Sequence, residues 1–93
     1  MKARALGDVL RELVGSLGIQ AQLKRHEAVN LWAQVVGEKI AKVTKAREVR
    51  DGRLFVEVES SAWRNELFYM KHEFVKKLNA SVGEQVIHDI IFV

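Results

Sequence analysis

The period of hydrophobicity changes once, sharply, within Arg53–Leu67 (RLFVEVESSAWRNEL), and that change limits the folds open to this chain. Leu54, Val56 and Val58 alternate with Phe55, Glu57 and Glu59, the period of two that marks a half-buried strand. From Trp63 onward the apolar residues recur at steps of three and four, through Leu67, Met70, Phe74 and Leu78, which is helix spacing. Ser60 or Ser61 stands at the joint. Either hydroxyl can accept from one of the N–H groups that a helix start leaves unpaired. A strand feeding directly into a helix becomes the corner around which the other segments must pack.

The preceding segments supply two helices and a hairpin. Leu6, Val9, Leu10, Leu13, Val14 and Leu17 form one apolar face, with Arg4, Asp8, Arg11 and Glu12 outside it. The GSLG of Gly15–Gly18 predicts the end of this helix, because glycine adopts the left-handed conformation of a C-terminal cap. A second helix is expected from about Gln20 to Val43, with Ala28, Leu31, Trp32, Val35, Val36, Ile40 and Val43 on its apolar face. Gly37 lies inside that face at a cost of ~1 kcal/mol relative to alanine. It marks a close backbone contact, or an end of the helix followed by a short helical turn. Ala46–Arg50 is a short, weak strand, and Asp51-Gly52 favours a tight hairpin turn into the strong strand. The helix after Ser60 or Ser61 runs to about Leu78 or Ala80. The β-branched stretch Val86–Val93 reads as a buried strand. The order α-α-β-β-α-β predicts one α+β domain over residues 1–93. Its three-stranded sheet is covered by helices on one face, with the last strand parallel to the Arg53–Glu59 strand.

Several function classes are disfavoured. Cysteine is absent, which removes disulfides and thiolate metal sites and fits a cytoplasmic protein. No run approaches the roughly 18 apolar residues of a membrane span. The N-terminal MKARALGDVLREL is charged throughout, unlike a secretory signal. His26, His72 and His88 share no metal-ligand spacing, and no phosphate loop or nucleophile elbow occurs. His26 and His72 are expected to face solvent, and His88 to be half-buried in a strand. Glu57 and Glu59 lie on one strand face, where a wet sheet surface explains them better than a catalytic carboxylate pair. The expectation is a non-enzyme with no cofactor.

Charge distribution points to binding. The net charge is +3, yet Lys39, Lys42, Lys45, Arg47, Arg50 and Arg53 fall within fifteen residues that also hold Glu48 and Asp51. That window is +4 and the remainder of the chain −1. If the hairpin lies beside the end of the second helix, the six cations form one phosphate-tracking surface, with Lys24 and Arg25 as contributors. GSLG also resembles the GxxG loop with which KH domains clamp a nucleic-acid backbone, although Ser16 and Leu17 are not basic and helix capping explains the glycines. Trp32 and Trp63 could stack on bases, but both lie in phase with apolar helix faces and read as core. Phe68 and Tyr69 lie off the main stripe and are candidates for contact with a partner protein.

A longer pattern then emerges: Trp32 with Val35-Val36-Gly37, Ile40-Ala41 and Thr44; Asp51-Gly52 with Leu54, Val56 and Val58; Ser60-Ser61-Ala62-Trp63 with Glu66-Leu67; Leu78-Asn79, Gly83, Ile90 and Phe92. Across Leu6–Phe92 this resembles the DciA family of bacterial proteins, long catalogued as a domain of unknown function. The resemblance implies a KH-like α/β domain without an enzymatic site. It further implies DNA binding and help in loading the replicative helicase DnaB where the DnaC loader is lacking. Two departures stand out: Ala46 replaces a common proline after the threonine, and the chain stops at Val93 where many members continue into a flexible tail. The resulting expectation is a cytoplasmic adaptor that binds single-stranded or forked DNA with low sequence specificity and engages a DnaB-like helicase. The competing expectation is a protein-interaction module that docks the helicase, or a second copy of itself, through Phe68 and Tyr69.

Overall fold

A computed structural model describes residues 6–93, with side chains described from Gly18 onward. The residues before Leu6 and the apolar face expected over Leu6–Leu17 lie outside that description. The elements are α1 (Leu6–Val36), α2 (Glu38–Ala41), β1 (Thr44–Arg50), β2 (Arg53–Val58), α3 (Ser61–Phe68), α4 (Lys71–Val82) and β3 (Asp89–Phe92). The sheet order is β1-β2-β3, with β1 antiparallel and β3 parallel to the central β2. The α+β class, the helix and strand order and the parallel last strand agree with the sequence.

Two helix boundaries differ from expectation, and both differences have a physical reason. The GSLG does not end a helix: α1 runs through Gly15–Gly18 without a break. Positive φ among the described glycines occurs only at Gly37, Gly52 and Gly83, so Gly18 has no left-handed cap geometry. The spacing from Leu17 through Ala21, Lys24, Ala28 and Leu31 to Val35 keeps one helical phase across the glycines. A glycine costs a helix about 1 kcal/mol but does not forbid it. A GxxG clamp between two helices is therefore excluded here. The break falls at Gly37 instead, where φ is 90°, and the single turn α2 follows.

The helix expected after Ser60 or Ser61, to about Leu78 or Ala80, is two helices. The chain tightens at the Met70 N–H to Leu67 carbonyl bond of 3.0 Å, and α4 then starts from Met70 at φ −98° and ψ −1°. Leu67, Met70 and Phe74 are spaced three and four apart, so the apolar stripe passes the break unchanged. The strand expected over Val86–Val93 is confined to Asp89–Phe92. Val86 and Ile87 instead answer to Asn79, and His88 is exposed rather than half-buried in a strand.

One core joins all layers: Ala28 and Trp32 of α1, Leu54, Val56 and Val58 of β2, Leu67 of α3, Phe74, Leu78 and Val82 of α4, and Ile87 and Ile90. Trp32 is its aromatic centre, edge-on to Phe74 at 5.6 Å between centroids. Trp63 is only partly buried and packs at the margin. The polar residues around this core explain why the sequence pattern has its form. Trp32 Nε1 donates to Thr44 Oγ1 at 2.9 Å, and that hydroxyl donates to the Ile40 carbonyl at 2.8 Å, which ties α1, α2 and β1 together. Ser60 Oγ accepts from the Trp63 N–H at 3.2 Å and caps α3. Asn79, the buried polar residue of the core, donates to the Ile87 carbonyl at 2.8 Å and accepts from Val86 and Ile87 N–H at 2.9 and 3.1 Å. One amide thus replaces a strand partner for the segment that delivers β3. Gly83 ends α4 in the left-handed conformation, φ 96°.

Candidate functional site

The hairpin sets the geometry of the basic cluster. Asp51 and Gly52 both take positive φ, 53° and 74°, as a tight hairpin turn requires. His88 clamps the turn: its N–H donates to the Gly52 carbonyl at 2.8 Å, and its Nε2 lies 3.2 Å from the Asp51 carbonyl. A Cβ at Gly52 would come within 2.5 Å of the His88 ring, so any other residue there would displace that ring as well as strain the positive φ.

A bulge in β1 then decides which side chains share a face. The register runs Lys45↔Glu57 and Ala46↔Val56, slips at Arg47, and resumes with Glu48↔Phe55, Val49↔Leu54 and Arg50↔Arg53. Strict alternation from Lys45 would put Val49 outside and Arg50 inside. The extra residue reverses the phase. Thr44, Ala46 and Val49 face the helices, while Lys45, Glu48 and Arg50 join Arg53, Phe55 and Glu57 on the open face of the sheet. Arg47, at the bulge, binds the Glu57 carboxylate and belongs to the same surface.

That face carries four cations, Lys45, Arg47, Arg50 and Arg53, against Glu48 and Glu57, with Glu59 beside Lys45 at one end and Asp89, already held by Lys71, in register with Arg53. Phe55 lies among them, half-buried, with the Arg50 guanidinium 4.7 Å from its ring centroid. Arg50 also lies 3.5 Å from Glu48. Phe55 thereby joins the candidates, whereas in the sequence it stands only as the alternate position of a strand. Its phase with Arg53 and Glu57 was the available signal.

The remaining basic candidates divide. Lys42 adjoins Lys45 across a shallow cleft of about 390 Å³ at the β1–β2 end of the sheet, and pairs loosely with Glu38 at 3.7 Å. Lys39 is exposed on α2. Arg25 and His26 of α1 face Arg47 and Glu48 across a cleft of about 210 Å³, so Arg25 borders the bulge. Lys24 turns the other way, toward Glu27 at 3.7 Å and the terminal Val82 carbonyl of α4 at 3.5 Å. The structure does not bring Lys24 to the basic face.

A second surface lies at the α3–α4 corner. Phe68 and Tyr69 are 57% and 78% exposed and stack edge-to-face at 5.7 Å. Lys71 stands 4.6 Å over the Phe68 ring and bonds Asp89 at 3.2 Å. Partial burial pushes the Asp89 carboxyl up, but the Lys71 ammonium and the Ile90 N–H outweigh it and hold it below its usual range. Among the described residues no cluster of His, Asp and Glu could hold a metal ion, and no helix is long and apolar enough to cross a membrane.

Fold and site together define a small α+β domain with a basic open sheet face and an exposed aromatic corner. Residues 5–92 match the family described as "Dna[CI] antecedent, DciA", and the chain belongs to that family. Relatives named UPF0232 protein include one from Mycolicibacterium paratuberculosis, 35% identical over 82 residues, covering 88% of this chain and 45% of the relative. Another, from Mycobacterium tuberculosis strain H37Rv, is 32% identical over 85 residues, covering 91% of this chain and 46% of the relative. A third, from Corynebacterium glutamicum, is 27% identical over 88 residues, 95% of this chain and 49% of the relative. The chain thus spans a little under half the length of these relatives.

Proposed function

We propose that the chain acts as one non-enzymatic adaptor domain in the cytoplasm, binding single-stranded or forked DNA while helping to load a DnaB-like replicative helicase. The observation that carries the DNA part is the β1 bulge. It turns Arg50 outward, so that Lys45, Arg47, Arg50 and Arg53 share one open face with Phe55, over whose ring the Arg50 guanidinium lies. Cations at that spacing track a phosphate backbone, and an aromatic ring between them offers a stacking surface to any base. The helicase part rests on family membership.

Replacing Lys42, Lys45, Arg47 and Arg50 together by glutamine tests the surface. Oligothymidylate affinity should fall, and the slope of log K against log salt should flatten by up to about 3, at ~0.7 per lost phosphate contact. An unchanged affinity and slope would show that DNA binds elsewhere.

The exposed Phe68–Tyr69 pair supports a second reading, a helicase-docking or self-associating module whose cations serve solubility. It predicts no DNA binding by the wild type even at low salt, and loss of helicase pull-down on replacing both aromatics by serine.

A further inference from the structure

The far edge of the sheet carries a feature that the basic face does not use. β3 is an edge strand, and α3 runs beside its free edge. Between them lies a groove of about 470 Å³, walled by Ser61, Arg64, Asn65 and Phe68 on one side and by Ile90–Phe92 on the other. Val93 exchanges both of its backbone bonds with β2: its N–H donates to Val56 and its carbonyl accepts from Val58, each at 2.9 Å. In a parallel ladder alternate residues face the same neighbour. Asp89 and Ile91 therefore face β2 as Val93 does, and the backbone groups of Ile90 and Phe92 point into the groove.

Only one end of that edge is blunted. The Ile90 N–H is taken by the Asp89 carboxylate at 2.8 Å, which Lys71 holds in turn at 3.2 Å. The Ile90 carbonyl and both backbone groups of Phe92 remain directed outward. Free edge groups of this kind are the template for adding another strand.

The groove's charge and shape select the occupant. Lys71 is neutralised by Asp89, so Arg64 is the one uncompensated charge among the described lining residues. A phosphate backbone needs cations along its path, and those lie on the open face instead. A second copy cannot pair β3 to β3, because its own β3 edge is walled by its own α3, and its β1 edge would bring Lys45, Arg47 and Arg50 against Arg64. An extended peptide meets all three features: main-chain groups for the edge, apolar side chains for Phe68 and Ile91, and a carboxylate for Arg64.

We propose that the α3–β3 groove binds an extended apolar segment of a partner protein, bearing one acidic residue, as a fourth strand hydrogen-bonded to Phe92.

The test begins with selection of a random dodecapeptide display library on the full chain. Synthetic copies of the enriched peptides are then titrated against three proteins: wild type, Arg64→Glu, and a chemically synthesised chain N-methylated at Phe92. N-methylation replaces the outward N–H by a methyl group, which both removes the donor and blocks a strand at that edge, and keeps the side chain. The expected result is enrichment of alternating apolar sequences with a carboxylate. Binding should weaken at least tenfold on N-methylation and several-fold in Arg64→Glu, with oligothymidylate affinity unchanged in both. Failure to enrich peptides, or peptide binding indifferent to both changes, overturns the proposal. So does oligothymidylate shifting the Phe92 amide resonance, which would make the groove a nucleic-acid site. A protein-concentration dependence of that resonance without peptide would make it a self-association edge, and would equally overturn it.

Discussion

Glu57→Gln should make the chain bind DNA more tightly. Glu57 is the carboxylate to which Arg47 is bound, and the register sets it directly opposite Lys45. It therefore offsets two of the four cations on the open face at once. Removing its charge raises the net charge of the face by one. If that gain becomes one further phosphate contact, the slope of log K against log salt steepens by ~0.7 for a single strand, which corresponds to about fivefold tighter binding at 0.1 M salt. Folding should hardly respond. Arg47 and Glu57 are both about half exposed, 49% and 47%, and an exposed ion pair contributes only ~0–1 kcal/mol. Fluorescence anisotropy with labelled oligothymidylate at three salt concentrations reads both quantities, and thermal unfolding checks the fold. Unchanged or weaker binding in a folded variant would refute the reasoning, because a site on this face must sense the loss of its central negative charge. An increase in affinity is also hard to produce by damaging a fold.

Asn79→Leu removes three hydrogen bonds and strands the Val86 and Ile87 N–H groups beside a packed core. Unmet buried donors cost ~1–3 kcal/mol each, so a loss of about 3 kcal/mol is expected in urea unfolding, and a loss below about 1 would contradict the role given to Asn79. Asp89 predicts a pH dependence with a definite sign. Its folded carboxyl titrates below the ordinary range of an aspartate, so its stabilising contribution is complete above that range and is lost as the pH falls through the folded value. Wild type should therefore exceed Asp89→Asn in stability by a constant margin from pH 7 to about 5, and the margin should close below about 4. A margin that widened in acid would refute the Lys71–Asp89 assignment.

The sequence revealed what period and capping chemistry control. Alternation along β2, the Asp51-Gly52 turn and the Ser60 cap are local, and each holds in the structure. Local signals could not rank the glycines. Gly15, Gly18 and Gly37 all interrupt helical patterns, and only Gly37 breaks one, because the Trp32–Thr44–Ile40 hydrogen bonds fold the chain back just there. The α3–α4 break was hidden for a similar reason: a step of three from Leu67 to Met70 suits a continuous helix and a tightened turn equally. At the site, the basic residues were visible as a cluster but their common face was not. A bulge is a property of two paired strands, and β1 alone does not show that Arg47 is the residue left over. The same slip gives Phe55 its basic surroundings. Lys24, offered with Arg25 as a contributor to the basic surface, is turned by helix geometry toward α4 instead.

The open sheet face is most directly tested by titrating oligothymidylate into the isotope-labelled full chain and mapping amide and aromatic shifts. The account predicts salt-sensitive shifts over Lys45–Glu57, with the Phe55 ring among the largest and Phe68 and Tyr69 unmoved. Shifts centred on the α3–α4 corner, or none at low salt, would contradict it.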